Sequence, residues 1–130
     1  MKTKQIGYYQ FPDNGLNLHF SINSWFNLEE DTGLTSSKFL TEFGNELQKE
    51  DKNEFILLDL ITDLCLAAAR AYAQEEDMDF DYNRFKMRND VMSLGEHGIV
   101  ELSNVIFNNS QAIDKVVGKQ TPMKVAKKKS

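Results

Sequence analysis

Cys65 stands alone in 130 residues, so no intramolecular disulfide can staple this chain, and its apolar neighbours mark the thiol as a small core residue. Histidine is almost as scarce. His19 and His97 are the only two, and no ligand spacing joins them into a zinc site, so His19 reads as an outward polar residue. No glycine-rich loop is placed to cradle phosphate, and no nucleophile comes with a base. The expectation is a non-enzyme without cofactor or metal. Long apolar runs are missing as well. The opening MKTKQIGYYQF lacks the hydrophobic segment of a secretory signal, and the most apolar stretch carries Asp59 and Asp63 in mid-run, which a membrane span would not. A cytosolic protein that contacts no membrane is expected.

Basic residues are few in the body of the chain. Nine stand against nineteen acidic residues in the first 110, whereas residues 111–130 carry six lysines and only Asp114, within an overall net charge of −5. An acidic body argues against wrapping nucleic acid, because phosphate contacts supply most of that affinity. The length fits one domain that buries about two-thirds of its unfolded surface, enough for a core without staples.

What is there centres on Glu54 to Gln74, EFILLDLITDLCLAAARAYAQ. Asp59, Asp63 and Arg70, spaced by four and seven and continued by Gln74, fall on one narrow stripe of a helix, and the rest is apolar or small. Such a helix is apolar around most of its girth and is expected at the centre of a mostly α domain with several neighbours. Paired carboxylates also occur in active sites, but with no matching His, Cys or second acid pair, Asp59 and Asp63 read as the solvated edge of a buried helix.

Ahead of it, Leu16, Leu18, Phe20 and Ile22 alternate with polar residues, the period-two pattern of a half-buried strand. With Asn14-Gly15 as a two-residue turn, the expected hairpin over 4–22 pairs Phe11 with Leu18, Tyr9 with Phe20 and Gly7 with Ile22, and sets Pro12 opposite Asn17. SWFNLEEDTG then predicts a short helix capped by Asn23 or Ser24, stopped at Gly33, with Trp25 and Leu28 inward. Thr35, Ser36 or Ser37 caps a second helix with Phe39, Phe43 and Leu47 on its stripe, ending near Lys49.

After the central helix, Asp77, Asp79 and Asp81 alternate as in a calcium loop, but Tyr82 or Arg84 falls where the sharp turn needs glycine. The segment reads instead as an acidic connector whose Asp79 or Asp81 caps a helix over Tyr82–Leu94. Phe85 and Met92 share one face of that helix, and Met87, Val91 and Leu94 another, so one set packs inward and the other is left over. Gly95-Glu96-His97-Gly98 breaks the chain before a last helix with Ile99, Leu102 and Ile106 inward, Val100 and Phe107 offset, and an end at Asn108-Asn109-Ser110. A globular domain over 1–110, α+β with an N-terminal hairpin and about five helices, is then followed by a disordered basic tail over 111–130. The surplus apolar residues Phe85, Met87, Val91, Met92 and Phe107 read either as partner contacts, since Met-rich faces adapt to varied clients, or as filling for an irregular core.

The segment LNLHFSINSWFNLEEDTG, followed by a polar connector, a long alanine-rich helix and a final helix pair, resembles the tail assembly chaperones of long-tailed bacteriophages over about Leu16 to Asn109. In that family extended segments run into a helix with an acidic pair just before Thr-Gly, matched here by Glu29, Glu30, Thr32 and Gly33. The resemblance implies a non-catalytic homo-oligomer in the host cytoplasm. It would coat the tape-measure protein, help recruit the tail-tube protein, and leave before the virion matures. It also implies the short form of a pair made by ribosomal slippage, for which Lys127-Lys128-Lys129 offers a candidate run; a solvated basic tail is the other reading of those lysines. Two alternatives remain from the residues: an acidic mimic of DNA using Glu75, Glu76, Asp77, Asp79 and Asp81, and a structural component that stays in the tail.

Overall fold

A computed structural model describes residues 7–51 and 53–117, with side chains as far as residue 108. Two strands, β1 (Tyr8–Gln10) and β2 (Asn17–His19), precede five helices: α1 (Ile22–Thr32), α2 (Ser36–Gln48), α3 (Glu54–Glu75), α4 (Arg84–Met92) and α5 (Gly95–Val117). The domain is mostly helical with an antiparallel N-terminal hairpin, and α3 lies at its centre, packed by α1, α2, α4 and β2.

The hairpin keeps its predicted face but not its predicted register. Tyr8 pairs with His19, Tyr9 with Leu18 and Gln10 with Asn17, while the Phe11 N–H donates to Leu16 at 2.9 Å. Pro12 to Gly15 therefore form a four-residue loop, with Gly15 at φ 73°, and Pro12 does not face Asn17. Asn14 explains the wider loop. Its side-chain oxygen accepts from the Leu16 N–H at 2.9 Å, and its amide reaches Tyr82 and Asp90 across the domain, so the turn is held from both sides. Because side chains alternate with period two, a register change of two residues leaves Phe11, Leu18 and Phe20 on the buried face. Ile22 leaves the strand altogether and opens α1.

Of the predicted apolar stripes of α1 and α2, Trp25, Leu28, Phe39 and Phe43 are buried and Leu47 is partly buried, and the rings join in a row. Trp25 meets Phe39, Phe39 meets Phe43 and Phe43 stacks on Phe107 of α5, with centroids 5.6, 5.6 and 5.5 Å apart. Gly33 at φ 82° ends α1 in the left-handed conformation that a side chain would strain, donating to Glu29 at 2.8 Å. Ser21, rather than Asn23 or Ser24, occupies the cap position, with no side-chain cap hydrogen bond of its own, and Ser24 Oγ donates to the Ser21 carbonyl at 2.6 Å. Thr35 caps α2 by accepting from Lys38 at 3.2 Å. Between α2 and α3, the buried Glu46 carboxylate accepts from the Asn53 N–H at 2.7 Å and Lys49 Nζ at 3.0 Å, which hold it below the usual carboxylate range. Asn53, fixed in this way, caps α3 through Phe55 and Ile56.

The second half departs further from expectation. Asn83 caps α4 by accepting from Lys86 at 2.9 Å, so neither Asp79 nor Asp81 does so and α4 starts two residues late. The break falls at Ser93-Leu94, and Gly95 to Gly98 form the first turn of α5. A Cβ on Gly98 would stand 2.8 Å from Leu94 Cβ, so glycine lets the first turn of α5 approach Leu94 closely. Helix α5 also runs through Asn108-Asn109-Ser110 to Val117, contrary to the predicted end. Middling helix formers cost only about 0.5 kcal/mol each, too little to stop a helix already propagating. The expected tail thus loses 111–117 to α5, and the remainder, with the lysine run, lies outside the described residues.

Among the described residues no helix is long and apolar enough to cross a membrane. Thr62 Oγ1 on α3 is buried without a hydrogen-bond partner. Thr62→Val should therefore be neutral or stabilise by up to about 1 kcal/mol, since it removes an unanswered hydroxyl. Leu64→Ala, at a fully buried position, should cost about 2–5 kcal/mol in the same urea unfolding series. A loss above about 1 kcal/mol for Thr62→Val would show the hydroxyl to be bonded.

Candidate interaction surface

The polar stripe of α3 is a seam, not merely a solvated edge. Arg84 Nε reaches Asp63 at 2.6 Å and Arg84 Nη2 reaches Asp59 at 3.6 Å, while Arg88 Nη2 reaches Asp59 at 3.1 Å. One guanidinium thus bridges the two carboxylates that a sequence reader would consider as an acid pair. The Asp63 hydrogen bond holds Arg84 still more firmly protonated against partial desolvation. Farther along, Arg70 pairs with Asp31 at 2.9 Å and Gln74 accepts from the buried Asn27 at 3.0 Å. Helices α4 and α1 therefore divide the stripe between them.

Pairing of Arg84 with Asp63 and of Arg88 with Asp59 means that α4 runs antiparallel to α3. This fixes which side of α4 turns inward. Met87 and Val91 are fully buried, so they are core residues and leave the set of candidate contacts. Phe85 and Met92, on the opposite face, are 69% and 55% exposed. Phe107, the fifth candidate, is partly buried with its ring against Phe43.

Two further apolar side chains stand in the open that sequence reasoning had placed inside the central helix. Phe55 is 80% exposed and Ile56 43% exposed. The signal was present: Phe55 is four residues before Asp59, and Ile56 seven before Asp63, so both begin the polar stripe. One helical turn beyond the Arg88–Asp59 pair, Met92 on α4 and Phe55 and Ile56 on α3 come level. The α3–α4 edge is thus a charge ladder, acids on its α3 side and bases on its α4 side, bounded by large apolar side chains.

A second polar cluster ties the hairpin to the far end of α3. Glu75 accepts from Ser21 Oγ and from Asn23 Nδ2, both at 2.9 Å, and its other oxygen faces His19 Nδ1 at 2.5 Å. Tyr8 stacks on the His19 ring with centroids 3.9 Å apart. His19 does point off the apolar face, as expected, yet it is pinned rather than free. Partial desolvation pushes the Glu75 carboxyl up, but the hydrogen bonds from His19, Asn23 and Ser21 outweigh it and leave the group below its ordinary 4.5. At the hairpin tip, Tyr82 donates to Asp90, and desolvation followed by that bond pushes the phenol up to about 12. In the acidic connector, Glu76, Asp77, Asp79 and Asp81 are exposed, and among the described residues no three metal-ligating side chains gather.

Comparison with protein-family models, curated proteins and solved structures gives no match.

The Glu75 cluster makes the fold acid-sensitive with a defined sign. A carboxyl lowered in the folded state contributes stability that is present above its unfolded value of 4.5 and is lost as pH falls through the lower folded value. Unfolding free energy of the parent should fall more steeply below pH 4.5 than that of Glu75→Gln. Glu46 titrates with the same sign in both chains and drops out of the difference. Parallel curves from denaturant titrations would remove Glu75 from the role assigned to it.

Proposed function

We propose that the chain is a non-catalytic tail assembly chaperone of a long-tailed bacteriophage, binding the tape-measure protein, helping tail-tube assembly in the host cytoplasm and leaving before the virion matures. One observation carries the reading. Phe55, Ile56, Phe85 and Met92 stand exposed along the α3–α4 edge, although twenty other apolar residues among those described are buried. Large apolar side chains grouped on one edge mark an interaction site more often than chance. The resemblance over Leu16 to Asn109 supplies the kind of client, a long amphipathic helix. Its apolar stripe would lie along the edge by helix-in-groove packing, while the acidic body keeps the complex in solution.

The DNA-mimic alternative loses ground, because Glu75 is occupied by three hydrogen-bonding side chains and the proposed row of phosphate mimics is interrupted at its start. A component that stays in the tail would be found in purified particles, where a chaperone would not.

Co-expression with a long helical tape-measure protein tests the reading. Phe85→Glu with Met92→Glu should leave unfolding stability within about 0.5 kcal/mol, as exposed substitutions do, while the soluble client falls several-fold. Full client solubility from that folded double variant would refute the assignment of the face. Binding that collapses with added salt would favour the acidic mimic instead.

A further inference from the structure

The α3–α4 edge has a symmetry of its own. Acids line one side, Asp59 and Asp63 on α3, and bases the other, Arg84 and Arg88 on α4, at matched heights. Two such faces can meet through a two-fold axis in either of two directions. An axis across the helices lays α3 on α3 and sets acid against acid. An axis along the helices lays each α3 on the other copy's α4, so that every Asp faces an Arg at its own level and Phe55 and Ile56 cover Met92. Only the second arrangement is complementary in charge and closes an isologous pair.

We infer that the edge binds a second copy of this chain through a two-fold parallel to α3, and that this pairing shields the apolar side chains until another helix displaces it. The dimer stands on the geometry alone; its role as a cap rests on the chaperone reading. Size agrees with a displaceable pair. From Phe55 to Leu66 the edge is roughly 15 Å long and two helices, about 20 Å, wide. That footprint of roughly 300 Å² lies well under the ~800 Å² per partner of a standard stable interface. Charge sets which orientation forms, and the exposed Phe, Ile and Met supply the attraction.

Sedimentation equilibrium on the protein alone tests it with two charge variants. Asp59→Arg sets base against Arg88 of the other copy, and Arg88→Asp sets acid against its Asp59, twice in each pair, while the Asp63–Arg84 level stays complementary. The parent should show reversible association from the 14.9 kDa chain to twice that mass. Each variant should stay at single-chain mass, and their equimolar mixture should associate again as a heterodimer. Met92→Glu, which leaves the ion pairs intact, should also remain a single chain with parental circular dichroism. A parent that stays monomeric at every concentration overturns the proposal, as do variants that pair alone or fail to pair when mixed. None of these outcomes bears on client solubility, so a failed dimer and a failed chaperone would be told apart.

Discussion

A helix buried around most of its circumference has few places to put a charge, and the structure turns on how α3 answers the charges that it has. Asp59, Asp63, Arg70 and Gln74 share one stripe, and each meets a side chain from α1 or α4. Magnitudes separate what holds these helices from what orients them. Exposed or half-exposed ion pairs contribute at most about 1 kcal/mol each, and some nothing measurable. Burying Met87 and Val91 contributes roughly 1.5–3 kcal/mol apiece. Apolar burial therefore fastens α4 to the core. The ion pairs set how α4 is turned about its own axis, because Arg84 and Arg88 on one stripe meet Asp59 and Asp63 while Met87 and Val91 beside them turn inward.

That division explains which parts were legible in the sequence. The extent of α3, the inward rings of Phe39 and Phe43 and the stop at Gly33 follow from local periodicity or from one backbone requirement, and all are present. The two faces of α4 were visible too, but not which one packs. That choice is made by a partner helix. The clue was a matching pair of spacings, bases at 84 and 88 against acids at 59 and 63, which reads correctly only once the helices are known to be neighbours. The same ignorance put Phe55 and Ile56 inside. Their position at the head of the polar stripe carried more information than their hydrophobicity.

Where the reading failed, a long-range contact outweighed a local preference. Asn14-Gly15 is a strong two-residue turn signal, yet Asn14 is also held by Tyr82 and Asp90, and the four-residue loop accommodates both bonds. The slip cost nothing in burial, since two residues restore the alternation. At Gly95 to Gly98 a glycine pair looked like a breaker but serves the close approach of Gly98 to Leu94. Asn108-Asn109-Ser110 looked like a stop, but middling helix formers cost too little to end a helix that is already propagating, and α5 runs on to Val117.

Leaving four large apolar side chains in water on one edge has a cost, and nothing in the packing of the core demands it. Phe85 and Met92 could be polar without disturbing Met87 or Val91 on the other side of α4. At the start of α3 the cap uses the backbone N–H groups of Phe55 and Ile56, which Asn53 accepts from whatever the side chain, and the Phe55 ring is largely uncovered. Residues that the fold does not require, placed on two helices that the fold holds in register, are the arrangement that a binding edge calls for. The charge ladder between them adds direction to a surface that hydrophobicity alone would leave undirected. A helix that lies along this edge must satisfy both, with an apolar stripe over Phe55 and Met92 and charges that oppose the acids Asp59 and Asp63 on one side and the bases Arg84 and Arg88 on the other.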